Sequence, residues 1–274
     1  MKLHTIAVLL LSASVVLSGC KKNETPDTGI AAGTIPATGM MADAARKATV
    51  DAKVAALPKP DMVRPLSEYA KLDSGESLMF LYLAAARLPL DYDAIAKDFS
   101  SDYRNSSDSF QKHDLLIALK PQIDQRVAAA AQQPYAWMAV DESGNLGAYD
   151  FKRGGFPVAE FLGDKTRYFN DLSDYRLSWT NGEALAFAPV KDEAVAREIE
   201  SLRIQYDQSP ELKVYFFAQS VDLQSKVVKA FVTRVQITDR NGRVLSEYGP
   251  DDTPPSASNL SVDGGGVASV SGVH

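Results

Sequence analysis

Leu212-Lys213-Val214-Tyr215-Phe216-Phe217 decides the fold. Side chains alternate between the two faces of a strand, so Leu212, Val214 and Phe216 look one way while Tyr215 and Phe217 look the other. Both sets are apolar, which predicts a central strand covered on both sides. A second long strand follows, with Phe231, Thr233, Val235 and Ile237 on one face and Arg234 and Gln236 opposite. Asn241-Gly242 then supplies a primed turn into a strand over Arg243–Tyr248.

Working upstream, Tyr175, Leu177 and Trp179 alternate, Asn181-Gly182 repeats the turn signal, and Leu185 and Phe187 alternate back, which predicts a hairpin. Tyr135–Val140 and Leu146–Phe151 flank Ser143-Gly144-Asn145 as another hairpin, and Phe156–Leu162 adds a further strand. Between the strands a helix from Asp192 to Tyr206 carries Val195, Ile199, Leu202 and Tyr206 on one stripe and stops before Pro210.

Ahead of Tyr135 the period is helical. Asp73 with Glu76 three residues on reads as a cap and its reciprocal partner, opening a helix through Leu78, Leu81, Tyr82, Ala85 and Leu88 that Pro89 ends. Asp91 caps a helix whose stripe is Tyr92, Ile95, Ala96, Phe99 and Tyr103. A third run passes through Leu115, Leu116 and Leu119 and is kinked or restarted at Pro121, continuing over Ile123 and Val127 until Gln133-Pro134. The fold class is therefore α+β: an N-terminal helical segment followed by a mostly antiparallel sheet with one packed helix.

The flanks differ in texture. Met1-Lys2, the apolar run Ile6–Val16 and small residues before Cys20 form a targeting peptide over 1–19, too short to span a bilayer. Residues 20–62 are rich in Ala, Gly, Thr and Pro and predict a flexible tether with an r.m.s. reach of about 35 Å. Val50, Val54 and Leu57 could form a marginal helix within it. A single α+β domain occupies 63–249, and the polar, Gly-rich stretch 250–274 reads as a disordered tail.

Leu17-Ser18-Gly19-Cys20 resembles the bacterial lipobox at all four positions. The resemblance implies cleavage before Cys20, a diacylglycerol on its sulfur and an acylated amine. Several acyl chains anchor stably where one alone is marginal. Lys21 in the place where an Asp would favour inner-membrane retention implies the periplasmic face of the outer membrane of a Gram-negative bacterium. The runs Asp91-Tyr92-Asp93-Ala94-Ile95-Ala96 and Leu115-Leu116-Ile117-Ala118-Leu119-Lys120-Pro121 are similar to those of an uncharacterised lipoprotein domain family, which implies no activity.

Composition narrows the chemistry. Cys20 is the single cysteine, so with lipid on it the body has no thiol for a disulfide, a nucleophile or a metal. Of three histidines only His113 lies in the body, and no acidic cluster takes metal-ligand spacing, so no metal or cofactor is expected. A net charge of −6 without a basic stripe speaks against nucleic acid. Ser109-Phe110-Gln111-Lys112 matches S-x-x-K, but no S-D-N accompanies it and Lys165-Thr166 is followed by Arg167 rather than glycine. Ser-Asp-Tyr-Arg occurs at Ser101–Arg104 and Ser173–Arg176 with unrelated flanks, a coincidence rather than a repeat.

One loop offers a ligand. Lys152, Arg153, Gly154 and Gly155 place two cations beside two flexible residues, a combination able to receive an anion through backbone N–H groups. These readings converge on a noncatalytic binding or assembly component of the cell envelope. Its partners would be membrane lipid, through acylated Cys20, and an envelope protein the sequence does not name. The alternative is a periplasmic hydrolase whose site assembles only in three dimensions.

Overall fold

The computed structural model describes residues 56–140 and 145–252. Cys20, residues 1–55 and the tail from 253 lie outside them, as do Val50 and Val54. The chain is α+β, as its periodicity predicts, and its described residues form five α-helices, a seven-stranded mixed sheet and a small two-stranded one.

The strands are β1 (Ala70–Lys71), β2 (Tyr135–Val140), β3 (Gly155–Pro157), β4 (Thr166–Phe169), β5 (Leu172–Trp179), β6 (Phe187–Pro189), β7 (Glu211–Asp222), β8 (Val227–Thr238) and β9 (Val244–Tyr248). The main sheet runs β1-β2-β7-β8-β5-β4, and β9 also pairs with β8. β1 is parallel to β2 and β5 to β8; the other neighbours are antiparallel.

β7 is the central strand expected, and its Leu212, Val214 and Phe216 enter the core while Tyr215 joins a second cluster with Tyr69 and Tyr135 on the opposite face. β8 departs from simple alternation. Its pairing jumps between Val232 opposite Phe216 and Arg234 opposite Tyr215, leaving Thr233 as a bulge. The bulge changes the phase, so Val232 is buried with Val235 and Ile237 in the core while Thr233 turns to Tyr69, 3.0 Å from its hydroxyl.

The helices are α1 (Gly75–Ala86), α2 (Tyr92–Phe99), α3 (Ser101–Asn105), α4 (Ser109–Gln132) and α5 (Glu193–Arg203). α1 packs against β5, β7, β8 and α4, and α2 packs on α4. The consecutive run Leu78–Tyr82 is buried, as a helix apolar around most of its circumference requires. Its cap is Ser74, accepting from the Ser77 N–H, and not Asp73. Asp73 instead pairs with Lys71 at 3.2 Å and Glu76 with Arg126, because Asp171 already takes the Gly75 N–H at 3.0 Å on both oxygens.

Asp91 caps α2 as expected, accepting from Ala94 at 3.1 Å, but the stripe through Tyr103 is split. Ser100 leaves the helix and caps α3, its hydroxyl receiving the Tyr103 N–H. α4 runs unbroken past Pro121. The carbonyl that the proline leaves without its helical donor belongs to Ile117, an exposed residue, so no acceptor is stranded in the core.

Both hairpins expected upstream of β7 are replaced by other pairings. β2 has β7 along one edge and the two residues of β1 on the other at Ala136–Trp137, and the segment after it pairs elsewhere rather than returning to β2. Leu146 bridges Val158 and Asp150 bridges Gly155 instead. β5 is likewise flanked by β4 and β8, so after Thr180 the chain leaves the sheet through a 3-10 turn at Gly182–Leu185. Phe187–Pro189 then pairs with Gly155–Pro157, and the strand expected over Phe156–Leu162 turns into a 3-10 helix at Ala159–Phe161. The antiparallel partner of β5 is β4, joined through Asn170-Asp171.

The end of the expected tether is held on the domain rather than free of it. Gln219 donates to the Pro58 carbonyl at 3.0 Å, and the Asp61 N–H donates to the Tyr135 hydroxyl at 2.6 Å. Of the phenols of the second aromatic cluster this segment provides a partner for Tyr135, while Tyr69 meets Thr233 and Tyr215 donates to Gln236.

Candidate functional site

The anion loop singled out in the sequence is a fixed turn. The Asp150 carboxylate accepts from the backbone of Lys152 at 2.9 Å and of Arg153 at 3.1 Å, and its carbonyl accepts from Gly154 at 2.7 Å and Gly155 at 3.4 Å. All four amides proposed for an anion are thus bonded to Asp150. The side chains of Lys152 and Arg153 are what the loop offers outward, and both residues are exposed.

Two glycines set the turn. Gly154 has φ +72, and a Cβ on Gly155 would lie 2.1 Å from the Ala188 carbonyl oxygen. On its inner side the turn is clamped by Tyr149, whose ring meets Phe156 edge-on at 5.1 Å and whose hydroxyl donates to the Val190 carbonyl at 3.1 Å. The Arg153 guanidinium lies 3.7 Å from the centre of the Phe187 ring. Phe151, at the tip, keeps 89% of its surface exposed.

α5 forms the opposite wall. Asp192 caps it, accepting from Ala194 at 2.8 Å and Val195 at 3.2 Å. Ala196 and Ile199 face the core, which leaves Glu193, Arg197, Glu200, Ser201 and Ile204 along one outer stripe at helical spacing. Between this stripe and Tyr149–Phe151 lies an open groove of about 360 Å³. Ile204 on its rim is 70% exposed.

The acids of the groove are occupied. Glu200 accepts from Arg203 at 2.5 and 3.0 Å and from the Tyr149 N–H at 3.3 Å, and the guanidinium holds its carboxyl below the usual carboxylate range. Glu193 accepts from Arg197 Nε at 3.0 Å. Among the described residues neither carboxylate is hydrogen-bonded to a hydroxyl or imidazole that it could activate.

The remaining sequence candidates stay apart. His113 and Asp114 are exposed on α4, as is Ser109 at its start, while the Lys112 ammonium lies 5.7 Å from the Tyr103 ring centre. Ser101–Arg104 falls across α3 and Ser173–Arg176 on β5. Among the described residues no group of three or more His, Cys, Asp or Glu side chains could hold a metal, and no helix is long and apolar enough to cross a membrane.

One polar cluster had no sequence signal. Glu160 is fully buried in the 3-10 helix after β3, receives Arg167 Nε at 3.0 Å and the Trp179 indole N–H at 2.8 Å, and forms an ion pair with Arg167. Tyr248 lies nearby, its phenol donating to the Leu185 carbonyl at 3.1 Å and pushed well above its ordinary pKa by complete burial and by Glu160. With bidentate Arg167 and the indole in place, the carboxylate is satisfied and enclosed, which makes it a structural tie. Only contacts between distant segments reveal it.

Compared with family models, with curated proteins and with solved structures, the chain matches none.

Proposed function

We propose that the chain is a membrane-anchored periplasmic lipoprotein, held by acyl chains on Cys20, and a noncatalytic binding or assembly component of the cell envelope. The anchor rests on the lipobox resemblance at Leu17–Cys20, and the outer membrane on Lys21. The observation that supports binding over hydrolysis is the groove between Tyr149–Phe151 and α5: apolar, open, and with its carboxylates already committed to Arg197 and Arg203. A hydrolase needs a nucleophile within hydrogen-bond reach of a base.

The anchor is tested by Cys20→Ala. The natural chain should take up labelled fatty acid and fractionate with membranes, and the variant should do neither; equal labelling of the two sinks the lipoprotein reading. Binding is tested by a photo-crosslinking side chain at Ile204 in intact envelopes, which should capture an envelope component. Turnover of ester, amide or glycan substrates by the purified chain would replace the binding reading with the hydrolase.

A further inference from the structure

The groove carries a more specific assignment, which rests on the binding reading above and names the ligand of that same site. The fold holds Phe151 out in water by design. Asp150, Gly154, Gly155 and Tyr149 fix the turn from the inside, and the ring at its tip remains 89% exposed. The next two residues are Lys152 and Arg153, both exposed, and Ile204 lines the same groove from the facing wall.

The charge around the tip has a small cationic excess: Lys152 and Arg153 stand against the single carboxylate of Asp150, while Glu193 is balanced by Arg197 and Glu200 by Arg203. A prominent aromatic on a rigid turn beside exposed Lys152 complements an anionic bilayer surface: the ring enters the interface while the ammonium meets lipid phosphates, and Arg153, stacked on the Phe187 ring, adds to the local positive charge. A protein partner would call for a broad apolar area, whereas here two side chains protrude. We infer that the Asp150–Gly155 turn and Ile204 form a docking face for anionic phospholipid.

Phe110 provides the internal control. It is 83% exposed but opens α4, where the one nearby cation, Lys112, lies over the Tyr103 ring and is outweighed by Asp108 and Asp114, so it has apolar surface without a cationic excess.

The experiment places a tryptophan at the tip by Phe151→Trp in the full chain, with Phe110→Trp as the comparison; the native indoles are Trp137 and Trp179 alone. Vesicles carry brominated acyl chains, with either phosphatidylglycerol or phosphatidylcholine headgroups. At position 151 the added emission should shift to the blue and be quenched in phosphatidylglycerol vesicles and change little in phosphatidylcholine. At position 110 it should change in neither. Lys152→Gln should weaken binding to anionic vesicles about fivefold, the share of one cation near such a surface. Equal quenching at 151 and 110, or no dependence on headgroup charge, overturns the assignment. So does crosslinking of Ile204 to a protein with no quenching at 151. Because the readout is local to residue 151 and is repeated in Cys20→Ala, loss of fatty-acid labelling sinks only the anchor, and loss of quenching sinks only the docking face.

Discussion

Asn181-Gly182 and Asn241-Gly242 are the same dipeptide, each following a strand that enters the sheet. After β8 the chain reverses at Asn241-Gly242, though not through the primed turn expected, since Gly242 has φ +81 and Asn241 does not share a positive φ; the Gly242 N–H donates to the Asp239 carbonyl at 2.9 Å, and β9 returns along β8. After β5, Asn181-Gly182 makes no reversal. The Asn181 amide acts as an extra rung of the sheet, its Nδ2 donating to the Val232 carbonyl and its Oδ1 accepting from the Val232 N–H, both at 2.9 Å. The difference is the free edge. β8 pairs with β5 only over Val227–Ala230 and leaves Val235–Thr238 open to β9, whereas β5 has neighbours on both sides. A turn preference is worth little when the returning strand has nothing to pair with.

The two regions also differ in how their charges are held, and the largest effect is expected there. Arg167→Ala strands Glu160 in the interior and should cost about 3–5 kcal/mol, read as a lower denaturation midpoint. Arg243→Ala, near the other Asn-Gly, removes an exposed guanidinium from Asp239 and Glu198 and should leave the midpoint nearly unmoved. If the two variants are equally stable, the buried tie is not what holds the region around β5.

The dipeptides themselves come next. Asn181→Ala leaves the Val232 N–H and carbonyl without their side-chain partners and should cost about 2 kcal/mol. Asn241→Ala keeps the backbone bond to Asp239 and should cost under ~1 kcal/mol. Equal losses from thermal melts would break the distinction between rung and turn.

The smallest effect lies where the helices meet β5. Burial, opposed by Lys226, raises the pKa of Asp98, which is hydrogen-bonded with Tyr175; burial and Asp98 push the Tyr175 phenol up to about 12. A carboxyl whose pKa is raised on folding binds its proton more tightly in the native state, so it lowers stability as pH climbs from about 4 through the raised value. Asp98→Asn should match the natural chain below that window and exceed it above, by under ~1 kcal/mol because solvent screens much of the effect. Melts at acid and neutral pH that differ by the same amount would contradict this.

Much of the frame is legible in the residues. The α+β class, the strands β7 and β8, the cap Asp91, the helix start at Asp192 and the position, though not the type, of the turn at Asn241-Gly242 follow from periodicity and local hydrogen bonding within a few positions. Of the candidate site, Lys152–Gly155 is visible as a basic, Gly-containing loop. Phe151 reads only as the end of a strand, because its exposure depends on the turn that Asp150 closes and on the wall that α5 raises.

What the sequence determined by itself is the helical character of the segment before Tyr135, the long strands β7 and β8, and the alternation of Leu212, Val214 and Phe216 against Tyr215. Tertiary structure alone decided which edges remain free, that one Asn-Gly is a turn and the other a rung, that Thr233 bulges, and that Glu160 meets Arg167 and Trp179 in the interior. The reason is physical: propensities act over a few residues and contribute about 1 kcal/mol each. A strand edge can be paired only once, and which segment takes it depends on residues that meet across the whole chain.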